Sequence, residues 1–197
     1  MKILAIADEE ARYYYDCYRP GCLDEFDLIL ACGDLKAKYL EFLATMAKCP
    51  LLYVRGNHDD RFSTQPPEGC ICIEDTIYEY KGIRILGLGG SYRDRPGENL
   101  YTEKQMKRRI YKVSFQLWRK KGFDILLTHA PAYGVNDLDN IAHRGFESFI
   151  YLLEKYKPKY FIHGHVHRNY DHRIPQISTF GDTIVINAYE YCKVDYE

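Results

Sequence analysis

Five apolar runs in this chain each close on polar side chains able to bind a metal, and that repetition constrains the fold more than any other feature. "KILAIAD" ends at Asp8 and "LILACGD" at Asp34; "LLYVRGNHD" ends at Asn57, His58 and Asp59; "ILLTHAP" carries His129; "YFIHGHVH" carries His165 and His167. Short apolar runs alternating with longer amphipathic stretches read as the strands and helices of an α/β domain. All-apolar runs such as "LILA" and "LLYV" are expected to be covered on both faces. Ligands of such sheets bind beyond the carboxyl ends of the strands. Acids, an amide and imidazoles at five strand ends can therefore converge on one point.

The strands expected are Lys2–Ala7, Asp27–Ala31, Leu51–Val54, Ile83–Leu88, Asp124–Leu127, Tyr160–Ile162 and Thr183–Ala188. Helices are expected over Lys36–Lys48, Thr102–Lys121 and Gly145–Tyr156. Thr102 with Gln105 makes a capping-box start, Gly122 a C-terminal stop, and Pro158 ends the third helix. The stretch Ile71–Gly90 reads as two short antiparallel strands around Lys81-Gly82.

A length of 197 residues, with 46% hydrophobic and 28% charged side chains, fits one soluble globular domain over 1–197. No apolar run is long enough to span a bilayer, and the N-terminus lacks a signal-peptide layout, so a cytoplasmic protein is expected. A net charge of −1 gives no support to a long-range basic surface for nucleic acid or membrane, though it is an average that leaves room for a local basic patch. Seven cysteines at irregular spacings read as reduced thiols; Cys70-Ile-Cys72 has no second pair of matching spacing to complete a metal site. The composition is compatible with a homo-oligomer.

The strand-end set (Asp8, Asp34, Asn57, His58, Asp59, His129, His165, His167) mixes carboxylate, amide oxygen and imidazole. That mixture suits manganese, iron or zinc rather than magnesium or calcium. It exceeds what one tetrahedral ion needs, whereas a pair of ions about 3.5–4 Å apart would use it. Side chains alternate along an extended segment, so His165 and His167 can reach different metals where the chain turns at Gly164. Gly33 and Gly56 are expected to let their strand ends swing Asp34 and Asn57 inward. A lone histidine at a strand end is usually a satisfied hydrogen-bonding group, and Gly-Asp is an ordinary turn pair. Four of seven histidines falling in one ordered set of strand ends is not explained that way.

Asp8 in "AIADEE", "CGD" (Cys32–Asp34), "GNHD" (Gly56–Asp59), "THAP" (Thr128–Pro131) and "GHVH" (Gly164–His167), in this order, resemble the motifs of the calcineurin-like metallophosphoesterases. The resemblance implies a four-layer α/β/β/α sandwich of two mixed β-sheets flanked by helices, with a dinuclear metal centre. It implies Asp34 as the bridging carboxylate, Asp8 and His167 on one ion, and Asn57, His129 and His165 on the other. It casts His58 as the group that binds a phosphate oxygen or protonates the leaving group, with Asp59 orienting it. The activity implied is hydrolysis of a small phosphodiester or phosphomonoester by a metal-bridging hydroxide. The departing alkoxide needs a proton, and an imidazolium supported by a carboxylate can give it.

The family's first motif is usually Asp-x-His, and here Glu10 stands at the histidine position. As a ligand it would make the site harder and more negative, favouring Mn²⁺ or iron over Zn²⁺. Pointing away, it would leave the first site weak. Two divalent ions are expected, Mn²⁺ first, with Fe²⁺/Fe³⁺ and Zn²⁺ as alternatives. A non-catalytic scaffold on the same fold is one competing reading, with Glu10 its only support. A nuclease is another, weakly supported by the near-neutral charge. Ser91, Arg93 and Arg95 could hold a phosphate oxygen, Arg93 being the substrate-binding candidate, or belong to a solvated loop. His143 and Arg144 face the cleft or fix their loop. The tyrosines of "ARYYYDCYRP" form an aromatic wall for a base or sugar, or pack over a core. Glu9 is expected at the surface.

Overall fold

The computed structural model describes residues 1–169 and 174–197. One sheet contains β1 (Lys2–Ala7), β2 (Leu28–Ala31), β3 (Leu51–Tyr53), β4 (Ile71–Cys72) and β13 (Glu190–Asp195), in the order β13-β1-β2-β3-β4. The other contains β5 (Thr76–Tyr80), β6 (Ile83–Leu88), β9 (Ile125–Thr128), β10 (Tyr160–His163), β11 (Ile177–Phe180) and β12 (Thr183–Asn187), in the order β11-β12-β10-β9-β6-β5. β7 (Ser91–Tyr92) and β8 (Leu100–Tyr101) form a small separate pair. The helices are α1 (Ala37–Met46), α2 (Glu103–Lys112), α3 (Ser114–Arg119) and α4 (Glu147–Tyr156). None of the described helices is long and apolar enough to cross a membrane.

Strand alternation sets the layering. Ile3, Ala5, Leu28 and Leu30 share one core with Ile85, Ile125, Leu127, Ile162 and Ile186, so that core lies between the two sheets. Their strand neighbours Leu4, Ile6 and Ile29 face the other way, onto α1 and the segment before β2. Leu86, Leu126, Phe161 and Val185 face outward from the second sheet onto α2, α3 and α4. The result is the expected α/β/β/α sandwich of two mixed sheets. Within each sheet the central pairs are parallel, which turns β1, β2 and β3, and likewise β9 and β10, so that their carboxyl ends point the same way.

β5 and β6 pair antiparallel with Tyr80 opposite Ile83, joined by Lys81 and Gly82 at φ 47° and 82°. Consecutive positive φ values are those of a type I′ hairpin, whose twist matches the strands. Ile71–Cys72 does not belong to that hairpin; it extends the first sheet parallel to β3. The helix expected over Thr102–Lys121 keeps its capping box but is interrupted at Val113, where ψ is 0°. Valine and serine, adjacent there, are both weak helix formers. The tyrosine-rich segment packs rather than forming a wall. Tyr14 is fully buried and meets Phe26 and Tyr191 edge-on, while Tyr15 meets Tyr39 and Phe42. All seven cysteines are free thiols.

Candidate metal centre

The site sits where both sheets end. Asp8 follows β1, Asp34 follows β2 and Asn57 follows β3, all from the first sheet, while His129 follows β9 and His165 follows β10, both from the second. Backbone strain marks three of them: Asp8, Asp34 and His165 adopt φ of 64°, 56° and 67°. Non-glycine residues rarely hold this conformation outside sites that need it. Two of the three glycines serve differently from expectation. Gly33 does turn left-handed, at φ 91°. Gly56 and Gly164 instead provide space: a Cβ on Gly56 would lie 2.1 Å from Asp34 Oδ1, and one on Gly164 would lie 2.6 Å from Asp8 Oδ2.

Asp34, His129 and His165 bring one ligand atom each within 4.8 Å of one another. His129 Nδ1 lies 2.7 Å from the Cys32 carbonyl, which can only accept, so the N–H is on Nδ1 and Nε2 points into the site. There Nε2 meets Asn57 Oδ1 at 3.0 Å and Asp34 Oδ2 at 3.3 Å. Burial disfavours charge on His129, yet the Asp34 carboxylate outweighs it and raises the pKa to about 9. The converse holds at Asp34: burial pushes its carboxyl up, and His129 and the His58 amide pull it down to about 2. His165 Nε2 donates to the Ala142 carbonyl at 2.7 Å, leaving Nδ1 for the site. Burial, then the neighbouring His129, holds His165 neutral with a pKa lowered to about 3, the form in which imidazole binds metals. Second partners that fix a histidine's tautomer are characteristic of metal ligands.

Asp8 adds a sharper test of fit. Its Oδ2 accepts the His165 amide at 2.9 Å, whereas Oδ1 is buried and makes no hydrogen bond among the described residues. His167 Nε2 lies 3.7 Å from that oxygen. A buried carboxylate oxygen without a donor suits a cation. His165 and His167 thus address different partners, and the donor set at both places fits divalent ions.

Other candidates are placed elsewhere. Glu10 pairs with Lys36 at 3.2 Å and does not line the cavity over the ligands. Asp59, expected to orient His58, makes no hydrogen bond to its ring; its Oδ2 accepts the amides of Asp34 at 2.8 Å and Gly56 at 2.7 Å. Burial, reinforced by the Asp34 charge, raises the Asp59 pKa to about 6. His58 donates its backbone N–H to Asp34 Oδ1 at 2.7 Å and is exposed beside the cavity. Arg93 is turned away, donating to the Leu100 carbonyl at 3.1 Å. Ser91, Arg95 and His143 line the cavity of about 310 Å³ instead. Arg144 lies over the rings of Tyr92 and Tyr133 and fixes its loop.

Some supporting residues were not anticipated. Glu74 accepts both the amide and the guanidinium of Arg55, behind the Gly56-Asn57 turn, and Arg109 binds Asp75 and the Gly89 carbonyl. Tyr189 donates to Glu9 and packs its ring 4.8 Å from that of His167. Glu9 is therefore tied to the rim of the site. Arginines and acids beside apolar strands were the available signal, but pairing across 19 and 34 residues of chain leaves no local pattern.

Residues 2–169 match the family model described as calcineurin-like phosphoesterase. The chain belongs to the calcineurin-like phosphoesterase family. Among curated relatives of this chain, UPF0046 protein C25E10.12 of Caenorhabditis elegans is 30% identical over 125 residues, 60% of this chain and 41% of that protein. UPF0046 protein K07C11.7 of the same organism is 24% identical over 216 aligned residues, 95% of this chain and 69% of that protein. The chain thus spans less than half the length of the first of these relatives. The solved structure of TT1561 of Thermus thermophilus superposes with a TM-score of 0.61 at 15% identity, covering 96% of this chain and 89% of that one. That likeness concerns the fold.

Proposed function

We propose that this chain is a metal-dependent hydrolase of small phosphodiesters or phosphomonoesters. The observation that carries the reading is the convergence of Asp34, Asn57, His129 and His165 from both sheets, beside the unpartnered buried oxygen of Asp8. Asp34, Asn57, His129 and His165 would hold one divalent ion, and Asp8, His167 and Asp34 the other. Such ions supply Lewis-acid neutralisation of phosphate oxygens and a nucleophile at neutral pH. Manganese is the metal proposed first, for the oxygen-rich share of the donor set. With Glu10 held by Lys36, that preference no longer needs Glu10 as a ligand.

The chain's own groups divide the remaining work. Asp59 holds the Asp34 and Gly56 amides, so both turns keep their ligands aimed inward. Ser91 and Arg95 line the cavity from the loop around β7, Arg95 pairing there with Asp94 at 3.1 Å, and are the groups proposed to meet phosphate oxygens. The His58 ring, exposed at the cavity edge, is positioned to give a proton to the leaving oxygen. The compartment proposed is the cytoplasm.

The test is turnover of bis-p-nitrophenyl phosphate and p-nitrophenyl phosphate by protein loaded with Mn²⁺, Fe²⁺ or Zn²⁺. Activity is expected to fall by at least about a hundredfold in Asp34→Asn and His58→Ala. Full metal loading without turnover on either ester would instead favour the scaffold reading.

A further inference from the structure

The near-neutral total charge hides a local basic face on α2 and α3. The side chains of these helices divide into two stripes. Met106, Ile110, Val113 and Leu117 are buried against the outer face of the second sheet. Phe115 and Trp118, three apart and so on one face of α3, and Tyr111 near the end of α2 point the other way and are 64%, 76% and 79% exposed. The Phe115 and Trp118 rings lie 5.9 Å apart. Lys104, Lys107, Arg108, Lys112, Arg119 and Lys121 interleave with them, all exposed. The one acid between residues 103 and 121 is Glu103, whose carboxylate accepts the amides of Glu147 and Ser148 and lies 3.9 Å from Lys107 Nζ.

Beside Tyr111 a cavity of about 350 Å³ opens between α2, α3 and α4, lined by Leu117, Tyr151 and Tyr156 with Lys107 and Lys155. Ser148 also lines it, and its buried hydroxyl has no hydrogen-bond partner among the described residues. An apolar hole with lysines and an unsatisfied hydroxyl suits an anionic amphiphile.

We propose that this face docks on an anionic lipid surface, with Tyr111, Phe115 and Trp118 at the boundary between headgroups and acyl chains and the cations against the headgroups. Tyrosine and tryptophan favour that boundary, and basic faces with aromatic anchors lie in it. A second copy of this chain is a poor occupant, because a two-fold contact would set like charges against each other. Single-stranded RNA also stacks on rings, but its sites are charged grooves that track a backbone, whereas these rings stand on an outward helix face.

Trp118 is the only tryptophan, so its emission reports on this face alone. The protein is titrated with vesicles of phosphatidylcholine, with or without phosphatidylserine at about one lipid in three, and co-sedimentation is measured alongside. A blue shift, protection from acrylamide quenching and sedimentation are expected with the anionic vesicles and not with phosphatidylcholine alone. At about fivefold per cation, Lys112→Glu with Arg119→Glu should weaken binding at least about twenty-five-fold. Phe115→Ala should weaken it too, with circular dichroism and phosphoester turnover unchanged in both variants. The proposal fails if anionic vesicles leave the emission unshifted, if phosphatidylcholine shifts it equally, or if the charge reversals leave binding intact. It fails equally if polyuridylate or polyglutamate shifts Trp118 while vesicles do not.

Discussion

Asp34 is held from three directions: its amide by Asp59, its Oδ1 by the His58 amide, and its Oδ2 facing His129. All three meet a backbone at φ 56°, so little freedom remains in where the carboxylate points. Gly56 is part of that confinement, since a methyl there would sit 2.1 Å from Oδ1. Gly56→Ala is therefore expected to lower stability by about 2 kcal/mol in urea unfolding, the usual scale of overpacking. It should also weaken divalent-metal affinity about tenfold to a hundredfold by calorimetry, as displaced ligand supports do. Unchanged affinity would remove Asp34 from the ligand set. At this scale the candidate ligands were legible because a polar letter ending an apolar run is visible in one dimension. The direction of a side chain is not. Glu10 turned to Lys36, Arg93 turned to a carbonyl while Arg95 faced the cavity, and Asp59 bound backbone amides, which no letter of the sequence represents.

Elements are joined by side chains that read as ordinary surface charge. Asp124, just before β9, accepts from the Arg84 amide at 2.8 Å, Nε at 2.9 Å and Nη2 at 2.5 Å. Arg84 also donates to the carbonyls of Lys120 and Lys121, at the end of α3. One ion pair thus fastens β6, β9 and α3. Burial would push the Asp124 carboxyl up, but the Arg84 hydrogen bonds outweigh it and hold it below the usual range. A carboxyl depressed in the folded state contributes its stability above the unfolded pKa and loses it as pH falls through the folded one. Asp124→Asn should then cost about 1–2 kcal/mol at neutral pH, with the gap to the parent closing below about pH 4. Thermal unfolding across that range checks it, and a gap independent of pH would show packing rather than charge to be responsible. The central strands were legible because burial on both faces leaves continuous apolar runs. β11 and β13 were not: they are edge strands, "ISTF" and "EYCKVD", whose partly exposed faces dilute the signal. The break at Val113 was also invisible, since the apolar stripe runs through it without a change of period.

At the scale of the whole molecule the candidate centre is a joint between the two sheets. Asp8, Asp34 and Asn57 come from one sheet and His129 and His165 from the other. The protein already ties them across the seam, through His129 Nδ1 to the Cys32 carbonyl and the His165 amide to Asp8 Oδ2. Those bonds leave Asp8 Oδ1 buried without a donor, and Nε2 of His129 against two oxygens. Ions bridging the two halves would satisfy Asp8 Oδ1 and displace the proton His129 holds between those oxygens, while adding contacts available only when the sheets are packed, so binding should favour the folded state alone. At a free ion concentration about a hundredfold above Kd, the gain is about 2.7 kcal/mol. For a domain of this size that corresponds to a rise in Tm of about 5–10 °C. Calorimetry with and without Mn²⁺, after stripping by chelator, measures it. Asp34→Asn should remove most of the rise by deleting the carboxylate proposed to be shared between the two ligand groups, and Glu10→Ala should leave it nearly intact, because Glu10 is paired with Lys36 outside the cavity. A loss of the rise in Glu10→Ala would place that carboxylate on the metal and reverse its assignment.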